Sequence, residues 1–203
     1  MAWSKAKTAA VAGACVLLAA GTTTLAVYHP NKPIEGIPKD WSVLSGDSSQ
    51  WTWTNGAINA HSTGGDCILA SNKKYHDVTL SAIAGTTNRD ACLAFRLQDA
   101  QNGYFVLYVP DHTLWAADNG CYLAVVKRVA GDETEIGTFK RHGLAQSAKV
   151  TVTASGPNIE VRLDDVPVID VKDTAFSYGF IGLRIYGDPV KPCDATFAKL
   201  TIR

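Results

Sequence analysis

From Trp41 onward, apolar and polar side chains alternate along most of the chain, the two-residue period of strands whose side chains point to opposite faces. Trp51-Thr52-Trp53-Thr54 alternates aromatic with hydroxyl. Asn55-Gly56 then supplies the positive φ angles of a two-residue hairpin turn, and Ala57-Ile58-Asn59 returns. Further strands are predicted over Cys67–Ser71, Asp77–Ala84, Ala91–Gln98, Tyr104–Val109, Gly120–Val129 and Glu135–Lys140. The last third adds Lys149–Ala154, Ile159–Leu163, Val166–Val171, Gly179–Tyr186 and Ala195–Ile202. Turn signals such as Asn102-Gly103, Gly131-Asp132, Ser155-Gly156-Pro157 and Asp164-Asp165 separate them, about ten residues apart. This succession of short antiparallel strands, with no amphipathic helix of three turns, predicts an all-β two-sheet sandwich or jelly roll.

The first 28 residues follow a different pattern. Lys5 and Lys7 precede an apolar run from Ala9 to Val27, and the segment holds no acid. This is the pattern of an export signal or an anchor helix. At about 1.5 Å per residue such a run just spans a bilayer core of about 30 Å. Thr24-Leu25-Ala26 offers a cleavage site before Val27. If the run is kept instead, residues 9–27 tether the chain, with the two lysines inside and the remainder exported. Residues 29–40, with Pro30, Pro33, Gly36 and Pro38, read as a short stiff linker. The domain is therefore expected over residues 41–203, preceded by a signal or anchor at 1–28 and the linker at 29–40. A chain of this kind is exported from a bacterial cell, to the periplasm, the cell surface or the medium.

Charge and cysteine content narrow the partners. The 19 basic and 19 acidic residues cancel over the whole chain, but residues 29–203 hold 17 basic against 19 acidic, a net charge of −2. A polyanion binder needs clustered Lys and Arg, so nucleic acid is excluded as a partner and neutral glycans fit better. Outside the leader stand Cys67, Cys92, Cys121 and Cys193. In an oxidising compartment four cysteines allow three disulfide pairings, and the alternative is that some are small buried hydrophobes. Neither CxxC spacing nor His at ligand spacing is present, so no metal or other cofactor is expected. Asp77 or Asp194 with backbone carbonyls offers hard oxygen donors of the kind calcium takes.

The facing of three strands points to a site. In Ala91–Gln98 the core face is Ala91, Leu93, Phe95 and Leu97. In the next strand it is Phe105, Leu107 and Val109, and near the end of the chain Ile181, Leu183 and Ile185. The opposite face then shows Arg96, Gln98, Tyr104, Tyr108, Arg184 and Tyr186, with Trp115 at the rim beside Asp111 and His112. Aromatic faces suit sugar C–H groups, and guanidinium and amide groups suit hydroxyls. These seven residues form the expected carbohydrate site, for an oligo- or polysaccharide.

The motif order resembles the concanavalin A-like lectin/glucanase superfamily, and within it the laminin-G-like and 3-keto-disaccharide hydrolase type domains of exported bacterial proteins. The resemblance covers most of residues 41–203. It rests on the Trp51 to Ile58 hairpin, Ile68-Leu69-Ala70-Ser71, Tyr75-His76-Asp77-Val78-Thr79-Leu80, Leu93-Ala94-Phe95-Arg96 and Asn102-Gly103-Tyr104. The hairpin Val161 to Val168 and Gly179-Phe180-Ile181-Gly182-Leu183-Arg184 complete it. It implies the jelly-roll fold and glycan-directed function. Where the hydrolase-type domains often carry an acidic strand and a Gly-Asn-Ser-Gly turn, this chain reads Ser81 to Asp90 without them, and no Glu-x-Asp-x-x-Glu is present. Ala198 stands where the family commonly has Asp, so no calcium is expected. Asp132-Glu133-Thr134-Glu135 reads as a solvated hairpin tip. The departures favour a noncatalytic binding domain. The other readings are a glycoside hydrolase or lyase using acids such as Asp90, Asp111 or Asp118, and a structural domain that meets protein partners.

Overall fold

The computed structural model describes residues 40–110 and 122–203. Apart from one 3-10 turn at Ser48–Gln50, their regular structure is all strand: β1 Trp41–Ser45, β2 Trp51–Thr54, β3 Ala57–Ser62, β4 Gly65–Tyr75, β5 Val78–Thr86, β6 Ala91–Asp99 and β7 Asn102–Val109. The chain continues with β8 Tyr122–Val129, β9 Asp132–Lys140, β10 Ser147–Ser155, β11 Asn158–Leu163, β12 Val166–Lys172, β13 Gly179–Gly187 and β14 Cys193–Ile202. They form two antiparallel seven-stranded sheets, ordered β1-β4-β13-β6-β7-β8-β9 and β12-β11-β10-β5-β14-β3-β2. The all-β jelly-roll sandwich expected from the alternation is the fold found.

Tight hairpins fix the register as the turn chemistry requires. Asn55 (φ 54°) and Gly56 (φ 76°) join Thr54 to its partner Ala57. Asp164 (φ 48°) and Asp165 (φ 67°) do the same between Leu163 and Val166, a role short polar side chains tolerate. Ala130 and Gly131 close the β8–β9 hairpin, and Asn102 assists by accepting a hydrogen bond from the Ala130 N–H at 2.9 Å.

The sheets enclose one large apolar core, with Trp51, Ile58, Leu80, Phe95, Val150, Ile185 and Phe197 at 0–1% exposure. A second, thinner apolar layer covers the outer face of the first sheet: Ile68, Ala70, Cys92, Ala94, Leu97, Phe105 and Leu107, with Ala124 and Val126. That layer explains two departures from the expected facing. In β6 a bulge at Arg96, whose φ is +51°, shifts the register between Phe95 and Asp99, so Phe95 points inward and Leu97 outward. In β7 both faces are apolar, and the inward set is Tyr104, Val106 and Tyr108, while Phe105 and Leu107 lie outside.

Cys67, Cys92 and Cys193 are buried free thiols, and no disulfide joins any of them. Burial and neighbouring carboxylates push the Cys193 thiol up to about 12 and raise Cys67 and Cys92 as well, so all three act as small apolar residues. Cys121 and Trp115 lie outside the described residues, as do residues 1–39, where the leader and most of the linker were expected. Among the described residues no helix is long and apolar enough to cross a membrane.

Candidate functional site on the outer face of the first sheet

The outer apolar layer carries a cluster of buried charges. Arg184 on β13 is 5% exposed and Arg128 on β8 is 4% exposed. Arg184 donates from Nε to Asp66 Oδ1 at 2.6 Å. Its other nitrogens lie 3.3 Å from Glu133 Oε1 and 3.8 Å from Asp90 Oδ2. Arg128 reaches Asp66 Oδ2 at 2.7 Å and Glu133 Oε1 at 2.5 Å, and donates to the Ala100 carbonyl at 2.9 Å. Both guanidinium planes lie over Phe105, at 4.9 and 5.1 Å from its ring centroid, as cation–π pairs. Burial alone would lower the Arg184 pKa. The Coulombic pull of Asp90, Asp66 and Glu133 outweighs it and raises the pKa, so Arg184 stays charged.

Beside this cluster the surface sinks into a depression of about 340 Å³, lined by Arg184, Asp90, Glu133, Glu135 and Tyr186 over a floor of Leu107 and Val126. That is within the range of roughly 300–1,000 Å³ of small-ligand sites. Tyr186 stacks on Arg89, whose guanidinium carbon is 4.3 Å from the ring centroid and which pairs with Asp188 at 2.7 Å. Guanidinium donors, carboxylate acceptors and an aromatic ring beside an apolar floor suit an uncharged polyol. The three carboxylates against two guanidiniums disfavour a polyanion.

Of the seven residues expected in the site, the structure places Arg184 and Tyr186 on this face. Tyr104 and Tyr108 do not join them: both are fully buried between the sheets and offer no ring to a ligand. The Tyr108 hydroxyl donates to the Ala145 carbonyl at 2.5 Å. Tyr104 donates to Asp173 Oδ1 at 2.6 Å, accepts from the Phe176 N–H at 3.2 Å and stacks on Phe95. Arg96, 1% exposed, is consumed by the carbonyls of His76 and Phe176, with Nε donating to His76 at 3.3 Å and Nη1 to Phe176 at 3.2 Å. Gln98 sits at the far end of β6, where its amide binds the Tyr178 carbonyl at 2.5 Å. Trp115 lies outside the described residues. The face thus gains Asp66, Asp90, Arg128 and Glu133, which the sequence reading either omitted or assigned elsewhere. Glu133 in particular is no free tip residue but the β9 partner of Arg128.

The Tyr104 anchor makes a pH prediction. Burial would raise the Asp173 pKa, but hydrogen bonds from Lys127 at 2.6 Å, Tyr104 and the Ala175 N–H outweigh it and hold the carboxyl below its ordinary range. A depressed native pKa means stability that is fully present above the unfolded value near 4 and lost as pH falls through the native one. Asp173→Asn is expected to cost roughly 1–2 kcal/mol at pH 7. The difference from wild type should shrink toward pH 2 in urea titrations run across that range. A deficit independent of pH would contradict it.

Among the described residues no group of three or more His, Cys, Asp or Glu is placed to hold a metal ion. Asp77 accepts from the Gly156 N–H at 2.9 Å, and Asp194 pairs with His61 Nδ1 at 2.6 Å.

Comparison with known proteins agrees with this architecture. A carbohydrate-binding module of class CBM66 from Bacillus subtilis superposes with a TM-score of 0.66 at 24% identity, over 81% of this chain and 95% of that one. The GH43 protein BlXynB of Bacillus licheniformis superposes with a TM-score of 0.58 at 12% identity, over 78% of this chain and 35% of that one. Both show a shared fold. In sequence the chain is 29% identical over 172 residues to the levanase of Bacillus subtilis, 78% of this chain and only 23% of the levanase. Residues 35–203 match the family model of the 3-keto-alpha-glucoside-1,2-lyase-like domain, and the chain therefore belongs to that family.

Proposed function

We propose that this chain is an exported, noncatalytic carbohydrate-binding sandwich that takes a neutral oligo- or polysaccharide in the depression beside Arg184. The observation that carries the reading is the Arg184 guanidinium, fixed by Asp66, Asp90 and Glu133 at the edge of an apolar-floored hollow flanked by Tyr186. Its donors and the free lone pairs of the carboxylates bind hydroxyls without reorganising. The carbohydrate-binding module and the levanase among the similar proteins support the same ligand class. Export rests on the charged and apolar pattern of residues 1–28, with residues 9–27 either removed or kept as the tether.

Calorimetry against levan, xylan and cellulose oligosaccharides tests the site. Tyr186→Ala and Asp90→Asn are each expected to weaken binding at least tenfold, about 1.4 kcal/mol, with unchanged circular dichroism. Polygalacturonate is expected not to bind. Unchanged affinity in both variants would place the glycan elsewhere.

A catalytic reading draws on one observation: Asp90 and Glu133 converge on the same guanidinium, 3.8 and 3.3 Å from its two nitrogens. Two carboxyls that converge on one point are what a glycosidase pair requires. Here both face Arg184, and Glu133 also faces Arg128, so they are arranged as acceptors around fixed cations instead of across a glycosidic bond. Release of reducing sugar from the same oligosaccharides, abolished by Glu133→Gln, would favour the enzyme.

A further inference from the structure

The outer face of the second sheet has its own depression, of about 380 Å³, over β5 and β14. Its floor is apolar and small. Ile83 lies opposite Ala198, and Gly85 lies between Thr196 on β14 and Ser147 on β10. Glycine keeps the hollow open, since a Cβ at position 85 would meet Ser147 Cβ at 3.0 Å and the Gln146 carbonyl at 3.2 Å. The walls are hydrogen-bonding groups without charge, with one exception. Asp194 is oriented from β3 by His61 Nδ1, 2.6 Å from its Oδ1, and its Oδ2 has no partner among the described residues. The Gln146 amide and the Ser147 hydroxyl are exposed and likewise have no side-chain hydrogen bond among the described residues. Thr196 is braced by donating to Asn59 Oδ1 at 3.0 Å.

We infer that this hollow is a second carbohydrate site, for a short stretch of neutral saccharide, and that the chain bridges two glycan strands. The inference rests on the reading that the domain binds neutral glycan. The apolar floor accepts the C–H face of a sugar ring, while Gln146, Ser147 and Asp194 offer one amide, one hydroxyl and one carboxylate to its hydroxyls. The lining holds no Lys or Arg, and its one charged side chain is an acid. A uronate, sulfate or phosphate is therefore repelled, and a neutral saccharide is the complementary occupant. No aromatic ring or guanidinium lines it, so this site is weaker than the one beside Arg184. The two hollows lie on opposite outer faces of sheets packed roughly 10 Å apart. One straight strand cannot fill both.

Titration calorimetry of the full chain with fructan, xylan and cellulose tetrasaccharides, paired with aggregation of beads coated with the matching polysaccharide, tests this. Wild type is expected to bind two oligosaccharides per chain and to aggregate the beads. Thr196→Trp, at an exposed strand position, fills the second hollow. It should reduce the stoichiometry to one, abolish aggregation and leave the remaining affinity unchanged. Tyr186→Ala should conversely retain the weaker site alone. One oligosaccharide per wild-type chain, lost entirely in Tyr186→Ala, would overturn the second site and leave the first standing. Two per chain in Thr196→Trp would also overturn it. Failure of wild type to bind any of the three overturns the glycan reading and this inference together.

Discussion

Replacing Arg184 by methionine is expected to lower stability by about 3–5 kcal/mol, the loss found when one partner of a buried ion cluster is removed. Methionine keeps much of the side-chain volume but none of the charge. Asp66 and Glu133 would then share Arg128 alone, and Asp90, 7% exposed, would lose its guanidinium neighbour at 3.8 Å. For a domain of this size the loss corresponds to roughly 8–15 °C in Tm. Two companion variants separate charge from packing. Arg184→Lys keeps the charge without the planar fork and should fall between the two. Arg184→Met combined with Asp90→Asn should recover part of the loss, because it neutralises a stranded carboxylate. Equal losses in Arg184→Met and the double variant would mean that the charges are not coupled, and that Arg184 contributes only its hydrocarbon stem.

The same cluster shows where the sequence was informative and where tertiary structure decided. The β2–β3 hairpin was readable because Asn55-Gly56 accepts two positive φ angles and the flanking residues alternate cleanly. The outward facing of Arg184 and Tyr186 was legible because β13 has a single apolar row, Ile181, Leu183 and Ile185, opposite them. Strand β7 has no such asymmetry. Gly103 to Val109 is apolar on both faces, since the second layer covers one side and the sandwich core the other, and a period of two cannot then choose the phase. The phenolic groups of Tyr104 and Tyr108 suggested solvent, yet each hydroxyl finds a partner at the end of the core. The Arg96 bulge gave no warning either, because an arginine at φ +51° carries none of the glycine signature that marks such positions. Glu133 could have been found: Arg128 and Glu133 flank the Ala130-Gly131 turn symmetrically, and opposite charges across a hairpin read as a pair. Asp66 and Arg184, 118 positions apart, come together only through the β4–β13 pairing.

Phe105 joins this misread phase to the site, and its removal is the other change expected to have a large effect. The side chain is fully buried although it lies on the outer face of its sheet, because the guanidiniums of Arg128 and Arg184 cover it at 4.9 and 5.1 Å. Phe105→Ala is expected to cost about 3–5 kcal/mol, the usual range for emptying a buried aromatic position. Phe105→Leu discriminates between an apolar filler and a cation platform. Leucine restores most of the buried area, so any deficit beyond that of Phe197→Leu in the main core measures the two cation–π contacts, each about 0.5–2 kcal/mol. Phe197 is equally buried but touches no charge in the cluster, which makes it the matched control. If the ring also sets the height of the Arg184 plane above the sheet, Phe105→Leu should weaken glycan binding several-fold, while Phe197→Leu leaves affinity intact and loses stability alone. Equal stability losses with unchanged binding in both would reduce Phe105 to ordinary packing. The geometry of the hollow would then have to be held by the carboxylates of Asp66, Asp90 and Glu133.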